Sequence, residues 1–229
     1  MKKRIGIITG AGPEAGIDLW QKILEENRRL LGADFQGDLD APEVVIHSLP
    51  TLGLAMNLRQ HEETLWLALE ASLRQMAGAV DLVCIACNVL HVFAERIRAL
   101  ELDLELVSIV DTAREHIIGH GLERVGLLSI SSVMNLDGLS PYAPLRESAE
   151  VVTSPRPQDM DELVRAVKRY GAEAPGLRQR YAELVSELGV TQVILACTEL
   201  PLLSRALPGI EQLDATRLLA RALVQKSLA

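Results

Sequence analysis

Short apolar runs alternate with longer amphipathic ones along this chain, the pattern of strands joined by crossover helices in a parallel sheet. Residues 4–9 read as a strand and Gly10-Ala11-Gly12-Pro13 as the turn after it. Pro13 suits a first helical position, where its missing N–H costs nothing. Ile17, Trp20, Ile23 and Leu24 then recur at helical spacing. A second strand is expected at 43–49, and a second helix at 58–76 with Leu58, Leu65, Leu69, Leu73 and Met76 on one face. A third strand runs into Cys87, a helix follows to about residue 100, and 106–110 reads as a fourth strand closed by Asp111-Thr112.

The same grammar then restarts. Arg124-Val125-Gly126-Leu127-Leu128 echoes Arg4-Ile5-Gly6-Ile7-Ile8, Leu195-Ala196-Cys197 echoes Ile85-Ala86-Cys87, and Asp214-Ala215-Thr216 echoes Asp111-Thr112. Landmarks repeated in one order imply two similar parallel-sheet α/β lobes, related by pseudo-two-fold symmetry, with an active site expected in the cleft between them. The expected division is 1–105 plus 210–229 for the first lobe and 106–209 for the second. The last helix, 216–228, is expected to pack back on the first lobe, and 155–157 reads as a loop.

Composition narrows the class. Hydrophobic residues make up 48 % of the chain but aromatics only 3 %, so Leu, Val, Ile and Ala must build the core. A formal charge of −8 argues against nucleic acid as a partner, because phosphate contacts need a basic face. The apolar run after Lys2-Lys3-Arg4 breaks at Thr9-Gly10, too early for a signal peptide, and no stretch is long enough to span a bilayer. With three cysteines no disulfide framework is implied. A soluble cytoplasmic protein with free thiols and no membrane association is expected.

The cysteines carry the chemistry. Cys84 and Cys87 are three apart on a strand and point to opposite faces, which makes a poor metal or redox pair, and Cys84 reads as a small core residue. Cys87 and Cys197 each end a strand where a helix is expected to begin, a position that stabilises thiolate. An ordinary thiol has a pKa of about 8.5. A pair with one member ionised can take a proton from one face of a carbon and return another to the opposite face. The result is inversion of a stereocentre with no organic cofactor. The five histidines show no metal spacing, so no metal is expected. His91, one turn past Cys87, either tunes that thiol or is a buried helix residue. Ser129, Ser131 and Ser132 either donate to a substrate or cap the next helix. Gly10-Ala11-Gly12-Pro13-Glu14-Ala15 fits a dinucleotide fingerprint in form, but the second strand ends His47-Ser48-Leu49-Pro50 without the acidic residue. Gly10 and Gly12 are therefore read as a turn that brings backbone close to a small ligand.

Together these segments resemble the aspartate/glutamate racemase superfamily, in particular its aspartate racemase branch that works without pyridoxal phosphate. The marks are the Gly10-Ala11-Gly12-Pro13 turn, Cys87-Asn88-Val89 with His91, Cys197-Thr198-Glu199 and Asp214-Ala215-Thr216. The resemblance implies an amino-acid racemase acting on a small amino acid or dicarboxylic acid, with Cys87 and Cys197 as acid and base and a homodimer as the assembly. It implies that Asn88 and Thr198 hold the substrate α-carboxylate and that Lys168, otherwise a solvated helix charge, meets the distal carboxylate. Val89 and Glu199, beside them in the same segments, are expected at the substrate too, as are Ser129 and Ser131 where they do not simply cap the next helix. Two departures stand out. Val89 replaces a threonine, and the 50–56 loop lacks the arginine that grips a side-chain carboxylate in the family. A neutral substrate side chain is thereby opened. Relatives that isomerise double bonds or decarboxylate diacids through one cysteine, and a binding-only relative, are the alternatives.

Overall fold

A computed structural model describes residues 2–229. In chain order the elements are β1 (Ile5–Thr9), α1 (Pro13–Leu31), β2 (Val44–Ser48), α2 (Leu58–Met76), β3 (Leu82–Ile85), α3 (Ala94–Arg98), β4 (Glu105–Leu106), α4 (Ile109–Gly119) and β5 (Arg124–Leu128). There follow α5 (Ser131–Met134), β6 (Glu150–Thr153), α6 (Pro157–Tyr170), α7 (Leu177–Ser186), β7 (Gln192–Leu195), α8 (Leu200–Leu203), β8 (Glu211–Asp214) and α9 (Ala215–Leu228). Short 3-10 turns fill several connections, notably Pro50–Asn57 and Val89–Phe93.

The strands form two parallel four-stranded sheets, ordered β2-β1-β3-β4 and β6-β5-β7-β8. Both are one design, α/β with helices on the sheets. β1, β3 and most of β5 and β7 are buried, which is why they read as unbroken apolar runs; the edge strand β2 alternates. The repeated glycine of each first strand has a packing reason. A methyl group on Gly6 would stand 3.0 Å from Met76 Sδ and Val80 Cγ2, and one on Gly126 would stand 2.9 Å from Val190 Cγ2. Each sheet is approached closely at the same register by the segment leading into its third strand.

The chain divides into one unit of residues up to Thr112 with Thr216–Ala229, and a second of Ala113–Ala215. The crossings fall a few residues after those expected. Leu106 pairs with Val83 in the first sheet, and Glu211–Asp214 pair along β7 in the second, so both crossings come after the last strand of a sheet. In the first unit, α9 is tied back by the Lys3 N–H on the Ser227 carbonyl (2.9 Å), Arg217 on Glu25 (2.8 Å) and Lys226 on Glu105 (2.7 Å).

The structure departs from the sequence reading at four places, for physical reasons. The stretch 106–110 is not a strand: β4 stops at Leu106, and Ser108 starts α4 by accepting the Asp111 N–H on its hydroxyl at 3.2 Å. The helix expected directly after Cys87 begins as the 3-10 turn Val89–Phe93 before α3. Ile17 and Trp20 are exposed, because the buried face of α1 runs through Ala15, Leu19, Lys22, Ile23, Glu26 and Asn27. Its polar members are held by partners: Lys22 on Asp18 (2.5 Å), Glu26 on Arg29 (2.7 Å), and Asn27 donating to the Asp40 carbonyl (2.8 Å). Pro157, read as loop, is the first residue of α6.

Candidate active site

Each sheet order reverses direction at its first strand: the second strand lies on one side and the third on the other. Ligands of open α/β sheets collect beyond the carboxyl ends of the strands at such a switch point. Both Ala-Cys pairs stand there. Ile85 lies opposite Ile8, and the Ala86 N–H continues the ladder onto the Ile8 carbonyl (2.8 Å). Leu195 lies opposite Leu128, and the Ala196 N–H bonds the Leu128 carbonyl (2.9 Å). Cys87 and Cys197 follow one residue on, 7 % and 8 % exposed, whereas Cys84 is sealed at 0 %. Cys84 donates its S–H to the Gly6 carbonyl at 3.4 Å, and burial pushes its thiol up. It is a core residue.

Around Cys87 the turn is neutral. His91 is buried between two main-chain groups: the Ile109 N–H donates to Nε2 (3.3 Å), so the ring proton sits on Nδ1 and is given to the Cys87 carbonyl (2.9 Å). Burial drives the His91 pKa down to about 4, against the hydrogen bond to Cys87. His91 thus braces the Cys87 backbone against the start of α4, with both ring nitrogens committed. Asn88 and Val89 are buried and open the 3-10 turn, which Phe93 and Trp66 anchor with ring centroids 5.6 Å apart. Gly10 and Gly12 both have positive φ, near +119° and +122°. A Cβ on Gly10 would lie 2.1 Å from the Leu49 carbonyl oxygen, so this glycine lets the β1–α1 turn lie against the end of β2. The Pro50–Asn57 turn beyond holds Leu52 and Ala55 buried and carries no charge.

Around Cys197 the turn is ionic. The thiol donates to Glu199 Oε2 at 3.0 Å, the Thr198 hydroxyl donates to the same oxygen at 3.3 Å, and the Lys168 ammonium of α6 pairs with Oε1. Glu199 is nearly buried and Lys168 a quarter exposed. The helix after Cys197 is only the single turn α8, and the expected stabilisation of thiolate by a helix start is not what governs this residue. Burial first, then the charge and hydrogen bond of the Glu199 side chain, push the Cys197 thiol well up, with Lys168 and then the Glu199 main chain opposing. The fully buried Tyr142 phenol is raised too, by burial and then by Cys197.

The two serines are committed within the second unit. Ser129 donates to the Ala196 carbonyl (2.5 Å), immediately before Cys197. Ser131 gives both its N–H and its hydroxyl to Asp161, at 2.7 Å each. Asp161 has no mark in the sequence, since an acid on a helix face gives no local sign of a bond to another element. The Cys-x-Glu spacing did carry a signal for Glu199, as did the nearness of His91 to Cys87. Among the described residues no group of His, Cys, Asp or Glu is arranged to hold a metal ion, and no helix is long and apolar enough to cross a membrane.

Residues 8–223 match the model of the Asp/Glu/Hydantoin racemase family, and the chain belongs to that family. It is 26 % identical, over 98 % of both chains, to the broad specificity amino-acid racemase RacX of Bacillus subtilis (strain 168). Among solved structures it is similar to an aspartate racemase homologue from Pyrococcus horikoshii OT3, with TM-score 0.75 and 26 % identity over 99 % of this chain and 100 % of that one. Picrophilus torridus aspartate racemase shares the fold at TM-score 0.84 and 20 % identity, over 98 % and 94 % of the two chains.

Proposed function

We propose that this protein racemises free α-amino acids without an organic cofactor, with Cys87 and Cys197 as the two proton-transfer groups. The observation that carries the reading is the matched register: each Ala-Cys pair stands one step beyond the same rung of its own sheet, at its switch point. A thiolate on one cysteine removes the Cα proton, breaking C–H and forming S–H, and the thiol of the other supplies a proton to the opposite face. As Cα loses its proton the substrate carboxylate gains negative charge, and hydrogen-bond donors near it lower the barrier most. Asn88 and main-chain N–H groups of the cysteine turns would supply them, since the Thr198, Ser129 and Ser131 hydroxyls already donate to protein oxygens.

The substrate side chain we favour is neutral. The Pro50–Asn57 turn has no cation, and Lys168, the remaining cation the family resemblance offers, is paired with Glu199. Kinship to a relative described as broad in specificity agrees with this preference. Exchange of the α-proton in deuterated water, followed by proton NMR over a panel of amino acids, is the test. Exchange with neutral amino acids ahead of aspartate supports the reading, and no exchange with any member overturns it. The family resemblance also suggests a homodimer, which sedimentation velocity would test.

A further inference from the structure

We propose that Glu199 and Lys168 are positioning residues acting through Cys197: Glu199 holds the thiol proton, and Lys168 sets how tightly. The geometry leaves the carboxylate no other occupation. One oxygen, Oε2, takes both the Cys197 S–H (3.0 Å) and the Thr198 O–H (3.3 Å), while the other takes the Lys168 ammonium. Three donors close on one nearly buried acid, so Glu199 serves its own chain rather than presenting an anion to a ligand. Among the described contacts, the charged or titratable groups that bear on the sulfur are Glu199 from the same segment, Lys168 from α6, and Tyr142 from the stretch before β6. Tyr142 is neutral, so the balance lies between one anion and one cation.

That balance has a direction. Glu199 as carboxylate favours S–H and disfavours a second negative charge 3.0 Å away. Cys197 therefore rests as the proton donor of the pair. To act as base it passes its proton across the same contact: S–H breaks, O–H forms on Oε2, and Lys168 remains an ammonium. Thiol, carboxylate and ammonium together carry no net charge in the resting form, and the transfer leaves that total unchanged. Only the kinetic consequence rests on the racemase reading; the state of the thiol does not.

The test is the rate of iodoacetamide labelling of Cys197, read by peptide mapping from about pH 6 to about pH 10, in the native chain and in Glu199→Gln, Glu199→Asp and Lys168→Met. Only thiolate reacts, so the pH profile reports the protonation that Glu199 and Lys168 impose. Glu199→Gln should label at least about tenfold faster at a given pH, equivalent to one unit of pKa, and Glu199→Asp should fall between it and the native chain. Lys168→Met should label several-fold slower. Opposite signs are the signature, because loosened packing would accelerate both. Superimposed profiles, or a shift in the same direction for both, overturn the proposal. Labelling of sealed Cys84 in the same digests reports any opening of the fold. If Glu199→Gln opens it, Lys168→Met decides, and unchanged or faster Cys197 labelling there overturns the proposal. None of these readouts uses racemisation, so this inference and the functional reading can fail separately.

Discussion

The two cysteine turns stand at the same register of their sheets and differ in the side chains that surround them. Cys87 is followed at the fourth position by a neutral, buried imidazole that grips main chain on both sides. Cys197 is followed at the second by a carboxylate that grips the sulfur itself. In the first unit the environment fixes where the cysteine is; in the second it fixes which protonation state the cysteine holds. A duplicated fold supplies equivalent positions, and the side chains around each position then divide the work.

The sharpest way to break this comparison is to remove the sulfurs. Cys87→Ser and Cys197→Ser should each lower α-proton exchange by at least about a hundredfold, the usual weight of a positioned acid or base. Cys84→Ala should leave exchange in place, since Cys84 is sealed in the core. Retained exchange in the Cys87→Ser/Cys197→Ser double variant would sink the two-thiol scheme.

The next effect separates bracing from tuning. His91→Phe leaves the Cys87 carbonyl and the Ile109 N–H buried without their partner, and should cost about 2–4 kcal/mol in urea unfolding. The same residue gives a pH dependence of definite sign. Its folded pKa is lowered to about 4, below the ordinary value of about 6.5, so between these values the unfolded chain binds more protons. His91 therefore favours folding least at low pH: stability should fall as pH drops from about 6.5 to about 4, by up to about 3 kcal/mol. Unfolding midpoints across that window should flatten in His91→Phe. An unchanged slope would remove His91 as its source.

What the sequence disclosed follows the same physics. Central strands buried on both faces leave unbroken apolar runs, so β1, β3, β5 and β7 were readable, and with them the Ala-Cys pairs at their ends. The Arg-x-Gly echo was readable because Gly6 and Gly126 face the same close approach. The inner face of α1 was hidden, since Lys22, Glu26 and Asn27 are buried through ion pairs and a main-chain bond that no apolar periodicity registers. The commitment of Glu199 to Cys197 needed coordinates. A carboxylate two residues past a cysteine serves substrate or sulfur equally well until its hydrogen bonds are located.

The structural counterpart of Asp214 is Ser108 rather than Asp111, and this difference carries the smallest expected effect. Continuing the register from Val83 and Leu106 sets Ser108 opposite Ile85, as Asp214 stands opposite Leu195. Ser108 precedes α4 by one residue and Asp214 precedes α9 by one, so the true counterparts are Ser108 and Asp214. Asp111 lies in the first turn of α4, where its N–H meets the Ser108 hydroxyl at 3.2 Å. The sequence Ser108-Ile109-Val110-Asp111 has the form of a capping box, and the β-branched pair inside it invited the strand reading. Ser108→Ala should then cost about 1 kcal/mol, while Ser108→Gly should cost only a few tenths, about 0.3 kcal/mol, because glycine suits the cap backbone. Equal losses in both variants, measured by urea unfolding, would mean that Ser108 matters for its packing and that the cap is not what ends β4 and starts the helix.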